Sequence, residues 1–478
     1  MSALTDADKV LRNDTGKDIV EQMKNANALL SIIASSEGGS INTFADLQRI
    51  VRMGLASRVL AIGQQIEVER ESTISATVGN SGGSSGITGA SVVMTTFIAE
   101  IGTVHHGDYE FIYDGAAWHL DNLAVELSDY GVTYTGTPIA NDEIVIHIST
   151  SRLLFDVIGI DVDTPSDSQF THSVTLALHD CLAGLQFDAI EGVFAVVSDS
   201  GLPAGTYHFK CTAQPWYASD VNKNIQFTTT QAVPKGGVLV LGNSYNASMI
   251  GKNIITYSTP ASTSQIEAVA MSEGTGGTDL GELNRTKQTS GSLVHTNCID
   301  RALLGNNNWK ESALRQWLNS DKVAGSVWIA QNVWDRPASW NTNTAGFLYG
   351  LDPDFIKACG KVNKRTALNT VCDGGGYVDT EETFFLLARD EVFGNHENGV
   401  TEGATYPYFG ANYSDYSSPN DGADSNRIKY RSGSAQYWWL RSPNSGSGYS
   451  TRGIGTTGNV SSYGANGSCG VVPACVIV

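Results

Sequence analysis

Two apolar runs near the C-terminus, Tyr437-Trp438-Trp439-Leu440-Arg441-Ser442-Pro443 and Gly470-Val471-Val472-Pro473-Ala474-Cys475-Val476-Ile477-Val478, bracket a stretch built almost wholly of Asn, Ser, Thr, Gly and Tyr. Both runs are short, rich in β-branched and aromatic side chains and stopped by Pro or Gly, as buried strands are. The stretch between them, Asn444 to Ser468, has almost no aliphatic side chains beyond Ile454 and Val460. It can supply little core and is expected at the surface. The first expectation is therefore a rigid frame that presents a polar, tyrosine-dotted surface.

A chain of 478 residues exceeds one ordinary hydrophobic core, so several domains are expected. Its formal net charge of −19 argues against a nucleic-acid surface, which needs a basic face to neutralise phosphates, and against anionic membrane. Charged residues are 17 % and glycines number 51, a balance that suits a turn-rich β protein of a virion or extracellular structure better than a cytosolic enzyme. The seven cysteines are scattered without Cys-x-x-Cys spacing, and the expectation is reduced, buried thiols made in a bacterial cytoplasm. No signal-peptide pattern opens the sequence and no apolar run is long enough to span a bilayer, so no membrane insertion is expected. Work outside the cell then implies release by lysis or inside a particle.

Taken in order, the chain starts helical. After Thr15-Gly16-Lys17-Asp18, Ile19, Met23, Ala26, Leu30 and Ile33 recur at spacings of four and three, a short heptad seam. Such a seam serves either self-association or packing on its own domain. Asn42 or Thr43 then caps a second helix with Phe44, Leu47, Ile50, Val51 and Leu55 on its apolar face, and the period shifts towards two at Ile62 to Val68. Asp108 to Trp118 alternates around an Asp-Gly turn and reads as a hairpin. Residues 151–235 read as β-rich with one helix around Thr175 to Gly184, and Pro234-Lys235-Gly236-Gly237 turns into the strand Val238 to Leu241. Asn308 and Glu311 are placed to form a capping box for a helix that buries Leu314, Trp317 and Leu318. A further helix starts after Asp352-Pro353, and Phe384 to Leu387 is a buried strand. The resulting division is a helical attachment segment (1–62), a β-domain (63–150), a β-rich connecting domain (151–235) and a C-terminal α+β domain (236–478).

The motif Trp438-Trp439-Leu440-Arg441-Ser442-Pro443, the Gly/Asn-rich insert and the terminal Gly-Val-x-Pro-Ala resemble a domain of gut bacteria and their phages, one related to the C-type-lectin fold of variable proteins in diversity-generating retroelements. Asn308 to Asn319 and Thr383 to Val392 agree with that resemblance. Many members of that family carry Arg where this chain has Val472, so no role of that Arg is transferred. Ser128 to Pro138 with Asp142 to Ile148 looks like modules of phage tail and fibre proteins. The resemblance implies a virion protein of the phage tail, a homotrimer beside other tail proteins, that binds a host cell-surface protein or glycan with no cofactor. In such systems mutagenesis at adenines turns Asn codons towards Tyr, Ser, Asp, Gly and Thr.

Tyr, Ser, Gly and Asn are also the mix of adaptable recognition loops. It occurs from Asn412 to Lys429 and from Asn444 to Ser468, so Tyr413, Tyr416, Asn444, Ser447, Tyr449, Arg452, Thr456, Asn459, Ser461, Tyr463 and Asn466 are the candidate ligand-binding residues. Chemistry is less well served. His105 and His106, adjacent on a strand, point to opposite faces and so make a poor zinc pair with His119 or His147. His295, Cys298 and Asp300 are sequence neighbours, which seldom form a catalytic dyad, and Gly374 to Gly376 lacks the Lys of a phosphate loop. Asp415, Asp421 and Asp424 read as solvated loop acids. Adhesion without catalysis is the leading expectation. The alternatives are a virion-borne enzyme acting on glycan or cell wall, which needs a pair of acids in a cleft, and a purely structural decoration protein. Light scattering tests the heptad: the full chain is expected to be a trimer and a chain beginning at Ile62 a smaller species, whereas a monomeric full chain at micromolar concentration contradicts it.

Overall fold

A computed structural model describes residues 43–101, 107–212, 218–241, 248–262, 264–265, 267–285, 293–295, 298–410 and 426–478. The heptad over Ile19 to Ile33, His105 and His106, Tyr413, Tyr416 and the acids Asp415, Asp421 and Asp424 lie outside the described residues. Strand makes up 40 % of the chain against 13 % helix, spread over several sheets, so the β-rich expectation holds. Among the described residues no helix is long and apolar enough to cross a bilayer.

The chain divides into two compact units. The smaller comprises Ile66–Leu154 with Gly350–Lys357. Within it the hairpin of Gly107–Tyr113 and Trp118–Leu120 forms as the Asp-Gly signal requires, because Asp114 Oδ1 accepts the amides of Ala116 and Ala117 at 2.7 and 2.8 Å. Residues 107–112 pair in turn with 143–148, and Ile144, Ile146 and Ile148 alternate onto a core with Phe97, Phe111, Trp118 and Val132. Phe97, Phe111 and Tyr130 meet edge-on or tilted within that core.

The larger unit holds the rest. Thr43 caps the helix Phe44–Arg52 by accepting the Asp46 amide, and Leu47, Ile50 and Val51 are buried as their spacing demands. The terminal strand Ala474–Ile477 is central. Val174–Leu178 pairs on one side of it, and Cys359–Gly360 and Phe384–Phe385 pair on the other. A five-stranded sheet runs in the order Val460–Gly464, Ser450–Ile454, Trp438–Pro443, Ser468–Val471, Leu182–Gln186. Two further sheets enclose a second core of this unit: one contains Phe194–Val196 and Val238–Leu241, the other Gly205–Cys211 and Asn224–Thr229. The stretches 151–235 and 236–478 thus contribute strands to the same sheets.

Four local expectations are corrected. Thr175 to Gly184 is not a helix but parts of two strands, Val174–Leu178 and Leu182–Gln186; every residue of the first is buried, and such an apolar run carries no periodicity to separate helix from strand. Asn444 to Ser468, expected at the surface, instead supplies two whole strands and the first residue of a third, and only Gly446, Thr457 and Ser468 are exposed. Asn308 caps only a 3-10 turn, Trp309–Glu311, while Ser312 caps the helix Ala313–Leu318 through the Arg315 amide. Glu311 faces Arg301 and Asn306 instead of closing a capping box. Finally, the cysteines are not all reduced, because Cys298 and Cys372 are joined by a disulfide.

Trp439 anchors this unit. It is fully buried, its ring lies 5.7 Å from that of Phe187, and its indole N–H donates to Leu185 O at 2.8 Å. Replacing it by Ala removes both packing and a hydrogen bond and is expected to cost about 3–5 kcal/mol in chemical denaturation. A loss below about 1 kcal/mol contradicts the core assignment.

Candidate functional site

The strand Trp438–Pro443 is buried throughout, although its fourth residue is Arg441. A buried guanidinium must find partners for its donors, and this one finds them on several segments. Arg441 donates to both Glu391 oxygens at 2.6 and 3.1 Å, to Leu386 O at 2.8 Å, to Glu402 O at 2.9 Å and to Arg365 O at 3.3 Å. Glu391 can meet it because it sits in the first turn of the helix Arg389–Phe393, where its carboxylate also accepts the Ala388 amide at 2.8 Å. Lys364 donates to Glu391 and to the Tyr406 hydroxyl at 2.9 Å, and to Asp163 at 2.5 Å. Burial drives the Glu391 carboxyl upward, but Arg441 and Lys364 outweigh it and hold Glu391 below the usual carboxylate range.

Glu402 is the exception in this network. Burial pushes its carboxyl up to about 7 despite Arg441, the Ser442 hydroxyl at 2.5 Å and the Ala367 amide at 3.0 Å. A second buried acid, Glu397, accepts from Arg389 at 2.8 Å and pairs with Arg452, which also donates to Ser462 Oγ at 2.9 Å.

Over this frame the polar strands alternate. Register pairs Trp438 with Ile454, Ile454 with Val460 and Arg452 with Ser462, so these share one face. Trp439, Gly453, Ser461 and Tyr463 share the other, and Tyr437 belongs there by parity. On that second face the Tyr463 ring stands edge-on to Tyr437 at 4.9 Å and to Trp439 at 6.1 Å. Gly453 permits this approach, since a Cβ there would lie 2.8 Å from Trp438 O and 3.4 Å from the Tyr463 ring. Burial pushes the Tyr463 hydroxyl up to about 12. Asn459 closes the hairpin tip, where its backbone carbonyl accepts the Gly455 amide at 2.8 Å and its side chain accepts from Thr457 at 2.7 Å.

The expected ligand-binding residues therefore separate. Asn459, Ser461 and Tyr463 come together, with Thr456 at the hairpin tip and the 45 % exposed Tyr437 beside them. Arg452 faces Glu397, and Asn444 reaches Ser462 only at 3.4 Å. Ser447 and Tyr449 belong to an anchored turn: Asn307 donates to Ser447 O and Ser450 O at 2.9 and 2.8 Å, and the Ser447 hydroxyl accepts the Tyr449 and Ser450 amides. The Tyr449 ring packs on the second core, and the Asn466 backbone is held by Leu304 and Gln186. Tyr449, Asn459, Tyr463 and Asn466, expected to be exposed, are each half-buried, because these strands pack beside their neighbours in a sheet instead of projecting as a loop. Tyr437 was missed, although its alternation with Trp439 was legible.

This face offers an aromatic edge, hydroxyls and an amide, which suit recognition by stacking and hydrogen bonding. Among the described residues no group of three or more His, Cys, Asp or Glu is placed to hold a metal ion. His147 bridges Asp108 and Thr77 at 2.7 Å each, and His119 pairs with Asp114 at 2.9 Å. Cys298 is bonded to Cys372 and carries no free thiol for a dyad.

Residues 289–478 match a family described as a domain of unknown function, DUF6273. No curated protein and no solved structure matches the chain.

The raised Glu402 carboxyl fixes the sign of a pH effect. Between the ordinary glutamate value of 4.5 and about 7 the folded state holds a proton that the unfolded chain releases. The stabilisation is complete below that window and is lost as pH rises through about 7. Glu402→Gln, which stays neutral, is expected to match the parent near pH 5 and to exceed its stability at pH 8 by up to about 3 kcal/mol. Parallel stability profiles for the two proteins contradict this.

Proposed function

We propose that this chain is a receptor-binding protein of a phage virion, in the tail or fibre, and that residues 236–478 form a C-type-lectin-like domain attaching to a host cell-surface protein or glycan. Attachment is adhesion without catalysis. The observation that carries the reading is the face of Tyr437, Asn459, Ser461 and Tyr463, seated on the buried Trp439 of the strand that Arg441 anchors. A tyrosine presents a large amphipathic surface at little conformational cost, and serines and asparagines adapt their hydrogen bonds around it. A rigid support lowers the ordering cost that binding must overcome.

The lectin-like assignment draws on the Trp438 to Pro443 motif, on the short helices Ile299–Leu304 and Ala313–Leu318, and on closure by the terminal strand Ala474–Ile477. Asn, Ser and Tyr at 459, 461 and 463 belong to the residue set that adenine mutagenesis generates in the retroelement systems this sequence resembles.

The exposed Tyr437 and the half-buried Asn459 beside it provide the test. Tyr437→Ala combined with Asn459→Ala touches no buried charge and is expected to change stability by about 1 kcal/mol or less. Loss of an aromatic anchor should weaken attachment of the fluorescent full-length protein to the bacterial cells it decorates by about tenfold or more. Cell binding equal to the parent's rejects this face as the ligand site.

A further inference from the structure

The five-stranded sheet ends at Val460–Gly464, which among the described residues pairs only with Ser450–Ile454. The register decides which of its main-chain groups face outward. Opposed residues of an antiparallel pair alternate between exchanging hydrogen bonds and turning those groups away from each other. The Gly455 amide donates to Asn459 O at 2.8 Å and the Ala465 amide to Tyr449 O at 2.9 Å, so residues 459, 461, 463 and 465 turn inward. Val460, Ser462 and Gly464 therefore point their amides and carbonyls away from the sheet. Gly464 O accepts the Gly467 amide at 2.8 Å, whereas among the described residues the outward groups of Val460 and Ser462 have no main-chain partner.

Proteins normally blunt such an edge with a charge, a proline, a bulge or a covering group, because unpaired strand groups recruit another strand. Val460-Ser461-Ser462-Tyr463-Gly464 has no charged residue and no proline, and its pairing runs through five residue pairs without a bulge. Leu182–Gln186, at the opposite edge of the same sheet, is blunted: its register shifts between partners Cys469 and Val471, Trp340 Nε1 donates to Gln186 O at 3.1 Å and Trp439 Nε1 donates to Leu185 O at 2.8 Å. Ser461, Ser462, Tyr463 and Gly464 are all partly exposed, so this edge is reachable from solvent.

We propose, resting on the reading of the Tyr437, Asn459, Ser461 and Tyr463 face as the ligand site, that the ligand is a protein segment in extended conformation that adds a strand to the Val460–Gly464 edge. A polypeptide strand repeats an amide and a carbonyl on one side at every second residue, the spacing at which Val460 and Ser462 present theirs. A glycan has no such repeat. The added strand lies about 4.8 Å from its neighbour, and every second side chain of it falls on the face of Ser461 and Tyr463. Main-chain hydrogen bonds then supply affinity, while the aromatic edge of Tyr463 and Tyr437 selects the side chains that fit beside it.

The test uses the fluorescent full-length protein and the bacterial cells it decorates, one portion treated with proteinase K and another with periodate, which cleaves the vicinal diols of sugars. Attachment is expected to be lost after proteinase K and kept after periodate. Ser462→Pro removes an outward amide and no inward one, whereas Ser462→Ala keeps that amide; both take the hydroxyl away from Arg452. Ser462→Pro is expected to bind more weakly than Ser462→Ala by about five- to tenfold, the worth of a net hydrogen bond. Attachment that survives proteinase K or is lost to periodate overturns strand addition, as does equal binding by the two Ser462 variants. The cell treatments decide by themselves if Ser462→Pro folds poorly. Binding undiminished by Tyr437→Ala with Asn459→Ala is the separate result that rejects the face itself.

Discussion

Burying the guanidinium of Arg441 obliges the surrounding chain to bring partners to it, because leaving a buried charge uncompensated costs roughly 3–5 kcal/mol. Those partners come from Leu386, Glu391, Glu402 and Arg365, so one side chain gathers segments far apart in sequence. Glu391 passes the constraint to Lys364, and Lys364 passes it to Asp163 and Tyr406. Removing either charge of the Arg441–Glu391 pair would strand the other away from water. The network therefore fixes where the Trp438–Pro443 strand lies as well as holding it there.

That position sets the character of the candidate binding face. Trp439 lies on the same strand parity as Tyr437, and Arg441 anchors the same strand two residues on, so the exposed tyrosine adjoins the most constrained strand of the unit. Ser461 and Tyr463 are added by register, and the hairpin tip brings Asn459. The remaining polar residues of the stretch are spent on holding it in place, through Glu397 at Arg452 and through Asn307 beneath Ser447 and Ser450. The Cys298–Cys372 bond lies under the same turn, where a Cβ on Gly448 would meet Cys372 Sγ.

The apolar elements were legible in the sequence because their composition alone specifies burial: Trp438, Trp439, Phe384 and the terminal strand, with Thr43 marking a helix start. Asn444 to Ser468 was misread because aliphatic content is a poor guide where small residues pack. Ser450, Thr451 and Gly453 are buried without aliphatic bulk, Gly453 through the close approach of Trp438 O and the Tyr463 ring. Val174–Leu178 was misread for the opposite reason, being apolar on both faces. Asp163, Lys364, Glu391 and Arg441 have no local pattern that announces their meeting, and cysteine spacing does not determine pairing. The candidate site was legible as a residue mix. Its division into a binding face and a supporting face depended on register, which a sequence without strand boundaries does not supply.

The polar stretch is a rigid sheet paired to the Trp438–Pro443 strand that Arg441 anchors. Amide hydrogen exchange across residues 450–464 measures this directly. The ladder amides of Ser450–Ile454 and Val460–Gly464 are predicted to be protected like those of Trp438–Pro443 and to exchange only through global unfolding, with the exposed tip at Thr457 exchanging early. Exchange of the whole stretch within seconds, while Trp438–Pro443 stays protected, would contradict it.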